Sequence, residues 1–329
     1  MENNNMAEKK RPLIIDCDPG IDDAECILML QGCGQFDILG ITPVHGNVSL
    51  DKTSANALYL NEKYGINAKV VKGADKAIIV RHPRAEYAHG DTGLAGLKVK
   101  TEDLTFSEGY AWDFIWEKAK EYEGELEIAA VGPLTNIALA VLKHPEITKM
   151  VKRLVIMGGS TTFGNVTEYA EFNIHQDPHA AKIVFEAGFD LTMVGLDCCV
   201  NTYLDEKDKK DVVEAAQGTS VCDVIEDFDR FEDESIDNWP ITEDKKAYYR
   251  SHKVMCDAVA AAVCIDPGIA VLSDKHVIVD VDGKMTIGQT VVDWFGFSGA
   301  PNLHLAMSVD RERFVNMYLE CIRSYKEGE

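Results

Sequence analysis

Four aspartates stand within eight residues, Asp16-Cys17-Asp18-Pro19-Gly20-Ile21-Asp22-Asp23, directly behind the apolar run Leu13-Ile14-Ile15. A short apolar run closed by Pro-Gly reads as a buried strand ending in a turn. Residues 22–31 then read as a helix. Carboxylates this crowded repel one another strongly unless a cation compensates. One or two acidic residues would only complement the helix dipole; four behind a buried strand point to a metal held by oxygen. Hard oxygen donors suit Ca²⁺ or Mg²⁺, and no His or Cys set at zinc-like spacing is present.

The same rhythm continues along the chain. Residues 38–42, 69–71, 126–130, 154–157 and 191–194 read as strands. Residues 49–64, 110–122, 135–142 and 178–186 read as helices, with Ser49 a plausible N-cap and Pro178 in a first turn. Strands alternating with helices imply an α/β fold: an open, mostly parallel, Rossmann-like sheet with helices on both faces. Later segments read as additions to it. Residues 205–250 are acidic helices and loops, 277–290 a β-hairpin turning at Asp282-Gly283, 303–308 a late strand and 311–325 a C-terminal helix. No linker composition and no internal repeat interrupts residues 12–329, which read as one domain behind a disordered arm at 1–11.

Charge and composition exclude several classes. Lys and Arg number 33 against 55 Asp and Glu, a net charge of −22. Such a chain repels nucleic-acid polymers and anionic membranes, and no apolar run approaches the ~20 residues of a membrane span. Its polar start carries no apolar core of a secretory signal. The nine cysteines lack paired spacing, which suits free thiols in a reducing cytoplasm.

In an open parallel sheet, ligands bind beyond the carboxyl ends of the strands. Gly46-Asn47, Gly132-Pro133-Leu134-Thr135-Asn136 and Gly158-Gly159-Ser160 fall there along with the aspartates. Asp257 heads the small-residue apolar stretch 258–265, where a buried carboxylate needs a partner. Asn165, Glu171 and Asn173, interleaved with Phe172, suit a polyol, although a polar loop with one buried ring is the commoner origin of such a pattern.

In series these motifs resemble the nucleoside hydrolases, the inosine-uridine preferring N-ribohydrolase family. The first cluster is similar to its DxDPGxDD signature. Gly46-Asn47-Val48, His89-Gly90 with Gly93-Leu94, Gly132 to Asn136, Met157-Gly158-Gly159, Glu171-Phe172-Asn173-Ile174 with Asp177-Pro178, and Asp257-Ala258 follow in family order. The resemblance implies one Ca²⁺ per subunit, a homodimer or homotetramer, and a place in nucleoside salvage. It implies Asp18, Asp23, Asp257 and the Val131 carbonyl as calcium ligands, with Asp16 supporting them. Asp22, Asn47, Asn165, Glu171 and Asn173 match ribose positions, His89 a position near the base, and Met157 the sugar pocket. The implied reaction is hydrolysis of a ribonucleoside to ribose and free base through an oxocarbenium-like transition state, with Asp18 as general base toward a calcium-bound water. Reliance on the 2′-hydroxyl implies poor turnover of 2′-deoxynucleosides.

The chain departs from many members in carrying Cys256, not His, before the late aspartate. Cys256 or His89 is then the candidate for assisting the leaving base, with His45 and His252 as rivals. Residues 248–250 fall where the family often has a mobile segment. Two other readings stand beside this one. A ribonucleoside- or ribose-binding protein could keep the pocket without efficient catalysis. A haloacid-dehalogenase-like phosphatase also places Asp-x-Asp after a strand, but it requires Thr or Val where this chain has Gly20.

Overall fold

The computed structural model describes residues 9–99 and 104–326. Its centre is a nine-stranded sheet in the order β10-β9-β11-β6-β5-β4-β1-β2-β3. The strands are β1 (Arg11–Cys17), β2 (Phe36–Pro43), β3 (Lys69–Val70), β4 (Glu127–Ala130), β5 (Arg153–Met157), β6 (Leu191–Val194), β9 (Ala270–Val279), β10 (Thr290–Asp293) and β11 (Leu303–Val309). A separate antiparallel pair joins β7 (Tyr203–Leu204) to β8 (Lys253–Val254). Strands β3-β2-β1-β4-β5-β6-β11 run parallel, while β9 and β10 close one edge antiparallel.

Helices cover both faces of the sheet. They are α1 (Ile21–Gly32), α2 (Leu50–Lys63), α3 (Glu86–His89), α4 (Ala111–Glu121), α5 (Thr135–Lys143), α6 (Phe172–Gln176), α7 (Pro178–Glu186), α8 (Leu196–Cys199), α9 (Glu206–Ala216), α10 (Cys222–Ser235), α11 (Glu243–Ser251), α12 (Cys256–Ile265) and α13 (Arg311–Arg323). The period-2 geometry of β1 shows why both faces need cover. Leu13, Ile15 and Cys17 enter one core with α1, α12 and α13, while Ile14 enters the other with α4, α5 and α7. Helix α1 is buried at nine positions, among them Asp23 and Glu25, so it runs through the interior and not over the surface.

The order of the first strands fixes the site. The chain runs outward from β1 to β2 and β3, then returns to lay β4 on the other side of β1. This reversal opens a crevice at the carboxyl ends of β1 and β4, the usual ligand site of such sheets.

Most expected elements match within one or two residues, and two do not. Arg11 already begins β1, inside the stretch read as an arm; residues 1–8 lie outside the described residues. The hairpin is also differently built. Its second strand starts only at Thr290, and residues 280–289 form a loop gathered by Asp280, which accepts the backbone N–H groups of Asp282 and Gly283 and the Thr286 hydroxyl. Backbone bonds here stay local: the Ile287 N–H donates to the Gly283 carbonyl and the Gln289 N–H to the Thr286 carbonyl, while Asp280 exchanges backbone bonds with Gly288 and Gln289.

At the opposite end of β4, Glu127 is buried and ion-paired to Arg11, Lys152 and Arg153. Burial works against its charge, but these cations, Arg153 foremost, hold its carboxyl below its ordinary range. A depressed folded pKa stabilises above the unfolded value and loses that stabilisation as pH falls through the folded one. Glu127→Ala should therefore cost about 3 kcal/mol at neutral pH, with the deficit shrinking in acid. Urea denaturation at pH 7 and pH 3 checks this; an equal deficit at both would contradict it.

Candidate active site

The first cluster folds into the crevice as a set of reciprocal caps. The Asp23 carboxylate accepts the backbone N–H groups of Asp18 (3.0 Å) and Gly20 (2.9 Å), and so caps the helix that carries it. The Asn47 backbone N–H donates to Asp18 Oδ2 at 2.7 Å, and its Nδ2 donates to Asp23 Oδ2 at 3.0 Å. Residues of β1, α1 and the loop after β2 are thereby locked together.

One ligand oxygen from each of Asp22, Asp23 and Asp257 comes within 4.8 Å of the others. Asp18, Asp23 and Asp257 are at most 3% exposed. Burial first, and neighbouring carboxylates second, push Asp23 up to about 7 and raise Asp18 and Asp257 strongly. Asp18 Oδ1 is buried without a hydrogen-bond partner. An orphaned carboxylate oxygen beside three converging carboxylates fits a hard divalent cation. The cluster thus includes Asp22, which the sequence resemblance assigns to the ribose.

Two glycines explain how Asp18 fits. A Cβ on Gly46 would lie 1.9 Å from Asp18 Oδ2, and one on Gly132 would lie 2.6 Å from Asp18 Oδ1. Any side chain at either position would evict the carboxylate. Asp16 sits one strand position deeper. Its Oδ2 accepts the Thr42 hydroxyl (2.7 Å) and Asn136 Nδ2 (2.8 Å), and burial raises it to about 7. It ties β1 to β2 and α5 beneath the cluster.

The second wall comes from β4, β5 and α6. Asn173 Nδ2 donates to the carbonyls of Val131 (2.9 Å) and Met157 (3.1 Å) and contacts Met157 Sδ. Glu171 caps α6: Oε1 accepts the Asn173 N–H, and Oε2 accepts those of Ile174 and Gly159. Burial outweighs these donors and raises Glu171 to about 7. Asn165 Oδ1 accepts the Phe172 N–H and closes the loop before α6.

The histidines separate. His89 Nδ1 accepts the Ile21 N–H at 3.2 Å and lies 4.0 Å from Asp22 Oδ1, which places its ring at the cluster's rim. Burial lowers its pKa, with Asp22 opposing, so the neutral ring carries its proton on Nε2. His45 is buried against the Thr135 hydroxyl, and burial lowers it to about 4. His252 stacks on Tyr248 at 4.3 Å and lies edge-on to Tyr203. Cys256 heads α12 beside Asp257, and its carbonyl accepts the Cys199 thiol. Tyr249, in the segment 248–250, lies on α11; burial, with Cys256, Tyr248 and Tyr87 nearby, pushes its hydroxyl up to about 12.

Residues 13–316 match the inosine-uridine preferring nucleoside hydrolase family. The pyrimidine-specific ribonucleoside hydrolase RihB of Escherichia coli O157:H7 is 35% identical over 96% of this chain and 98% of its own length. Among solved structures, a purine-preferring ribonucleoside hydrolase from Gardnerella vaginalis is similar at a TM-score of 0.86 and 31% identity, covering 96% of this chain and 99% of that one. The plant nucleoside hydrolase PpNRh1 gives a TM-score of 0.86 at 29% identity, with 96% and 99% coverage. Fold and site together define a hydrolase of N-glycosyl bonds. The chain belongs to the inosine-uridine preferring nucleoside hydrolase family, whose members' activity is ribonucleoside hydrolysis.

The glycine cradle yields a direct test. Gly46→Ala should leave the circular dichroism spectrum intact while cutting kcat/KM about a hundredfold, the cost of a misplacement near 1 Å. Unchanged kcat/KM would show that the position of Asp18 is not critical.

Proposed function

We propose that this chain hydrolyses ribonucleosides with a resident Ca²⁺ and Asp18 as general base, as a cytoplasmic homo-oligomer acting in nucleoside salvage. The observation that carries the reading is the convergence of Asp22, Asp23 and Asp257 beside the orphaned Asp18 Oδ1. Asp18, Asp23, Asp257 and the Val131 carbonyl would hold the ion, with Asp22 within reach. When bound, it would supply a water of lowered pKa and an anchor for sugar hydroxyls.

The chain's own groups do the rest. Asp18 accepts the water's proton at Oδ1, the one oxygen of that carboxylate left free of a protein donor. Both Asp18 and Asp23 are fixed by Asn47, which leaves Asn47 Oδ1 to accept a hydroxyl. Glu171, fastened by three backbone N–H groups, presents lone pairs to the sugar without moving. Asn165 and Asn173 bond further hydroxyls, and the Met157 sulfur lies against the sugar face. As the bond to the base breaks, positive charge grows on the ribosyl ring, and these acidic oxygens favour it more than they favour the neutral substrate. His89, holding a proton at Nε2 on the rim, or the Cys256 thiol assists the departing base.

No helix of the described residues is long and apolar enough to cross a membrane. Trp294, Phe295 and Phe297, exposed beside edge strand β10, support self-association. Relatives of comparable identity are named for pyrimidines and for purines.

A nucleoside screen by reducing-sugar release, with and without chelator, tests the reading. Ribonucleosides should be cleaved, 2′-deoxynucleosides poorly, and chelator should abolish turnover. Asp18→Asn should lower kcat by at least about a thousandfold with the fold kept. Binding of a ribonucleoside with no base released over long incubation would favour the silent binding protein instead.

Leaving-group assistance separates by substrate. If Cys256 assists, Cys256→Ala should slow nucleosides with poor leaving bases and spare activated ones. Equal rates for both substrates in the variant and wild type would remove the thiol and leave His89.

A further inference from the structure

Near the carboxylate cluster lies a second charged group that the reaction does not use. Lys253 is 7% exposed, and its Nζ pairs with Glu25 Oε1 at 2.9 Å and Glu232 Oε2 at 3.0 Å. Glu25 is 1% exposed, and the Tyr318 hydroxyl donates to its Oε1 at 3.4 Å. A cavity of about 10 Å³ adjoins Glu25, Lys253 and Tyr318, room for about one water. A buried lysine tends to lose its proton, but the carboxylates of Glu232 and Glu25 hold Lys253 charged.

The placement of these partners in the chain is the informative part. Glu25 follows Asp22 by three residues on α1, so the two share a face of that helix. Lys253 precedes Asp257 by four residues, in the strand β8 that leads into α12. Glu232 stands on α10, in the acidic insertion. One ammonium therefore bridges α1 and the strand that leads into α12, the two elements that carry the converging aspartates. It also ties both to α10.

We propose that Lys253 is a positioning residue for the cation site: its pairing with Glu25 and Glu232 holds α1 and α12 in the relative placement that brings Asp22, Asp23 and Asp257 together. This inference rests on the reading of that cluster as a divalent-cation site. Lys253 itself touches neither cation nor substrate. Groups that orient ligands from outside typically change metal affinity by about 10–100-fold when removed.

The sign of the effect separates positioning from charge alone. Removing a nearby positive charge makes a cation site more attractive, so electrostatics alone predicts tighter binding in Lys253→Met. Positioning predicts weaker binding. The experiment titrates Ca²⁺ into chelator-stripped full-length protein, wild type and variant, in competition with a fluorescent chelator. Wild type should bind one Ca²⁺, Lys253→Met should bind at least about tenfold more weakly, and Lys253→Arg should recover most of the loss. Lys253→Gln, which keeps a hydrogen-bonding side chain, replaces the Met variant if that one does not fold. Affinity in the Lys253 variant equal to or tighter than wild type overturns the proposal, while wild type that binds no Ca²⁺ overturns the reading beneath it. Collapse of both neutral variants assigns Lys253 to maintaining the fold and overturns it as well.

Discussion

Mutual repulsion among buried carboxylates is the constraint on which this structure turns. Asp16, Asp18, Asp22, Asp23 and Asp257 are drawn from β1, the turn behind it, α1 and α12 into one crevice, and burial of all but the partly exposed Asp22 removes the water that would have screened them. The fold answers with fixed donors. Backbone N–H groups of Asp18, Gly20 and Asn47, with the side chains of Asn47, Thr42 and Asn136, occupy both oxygens of Asp23 and one each of Asp18 and Asp16. What they leave over, including Asp18 Oδ1, is the negative charge that a divalent ion and a developing ribosyl cation would both neutralise. Stabilising the metal and stabilising the transition state are two uses of the same uncompensated charge.

Much of this was legible in the chain because its signals are local. The β1 turn is written in consecutive residues, Asp16 to Asp23, and the apolar runs are short enough to be strands. Pro178 marks the start of α7 to the residue. Glycines at 46 and 132 were visible as part of polar clusters, but their reason was not. It depends on Asp18 lying between two loops from opposite sides of β1, a contact between residues far apart in sequence. Asp22 was likewise separated from the metal ligands by resemblance, whereas the geometry gathers it with Asp23 and Asp257.

Non-local partners also account for the other surprises. A histidine beside Gly46-Asn47 suggests catalysis, yet His45 turns to Thr135 and becomes a neutral packing residue. Nothing in its neighbours along the chain reveals that. Residues 284–289 look like a strand by composition, but Asp280 gathers them into a loop. The pairing of Lys253 with Glu25 spans most of the chain and has no periodic trace at all.

The burial of α1 has a consequence for how the protein comes apart. Surface helices can fray while the rest of a domain stays folded, and binding loops are usually drawn from such weak regions. Here the helix bearing Asp22 and Asp23 lies inside the larger core, against α12 and α13. Its amide hydrogens should exchange with solvent only when the whole molecule opens. Catalytic competence and global cooperativity therefore share one structural unit.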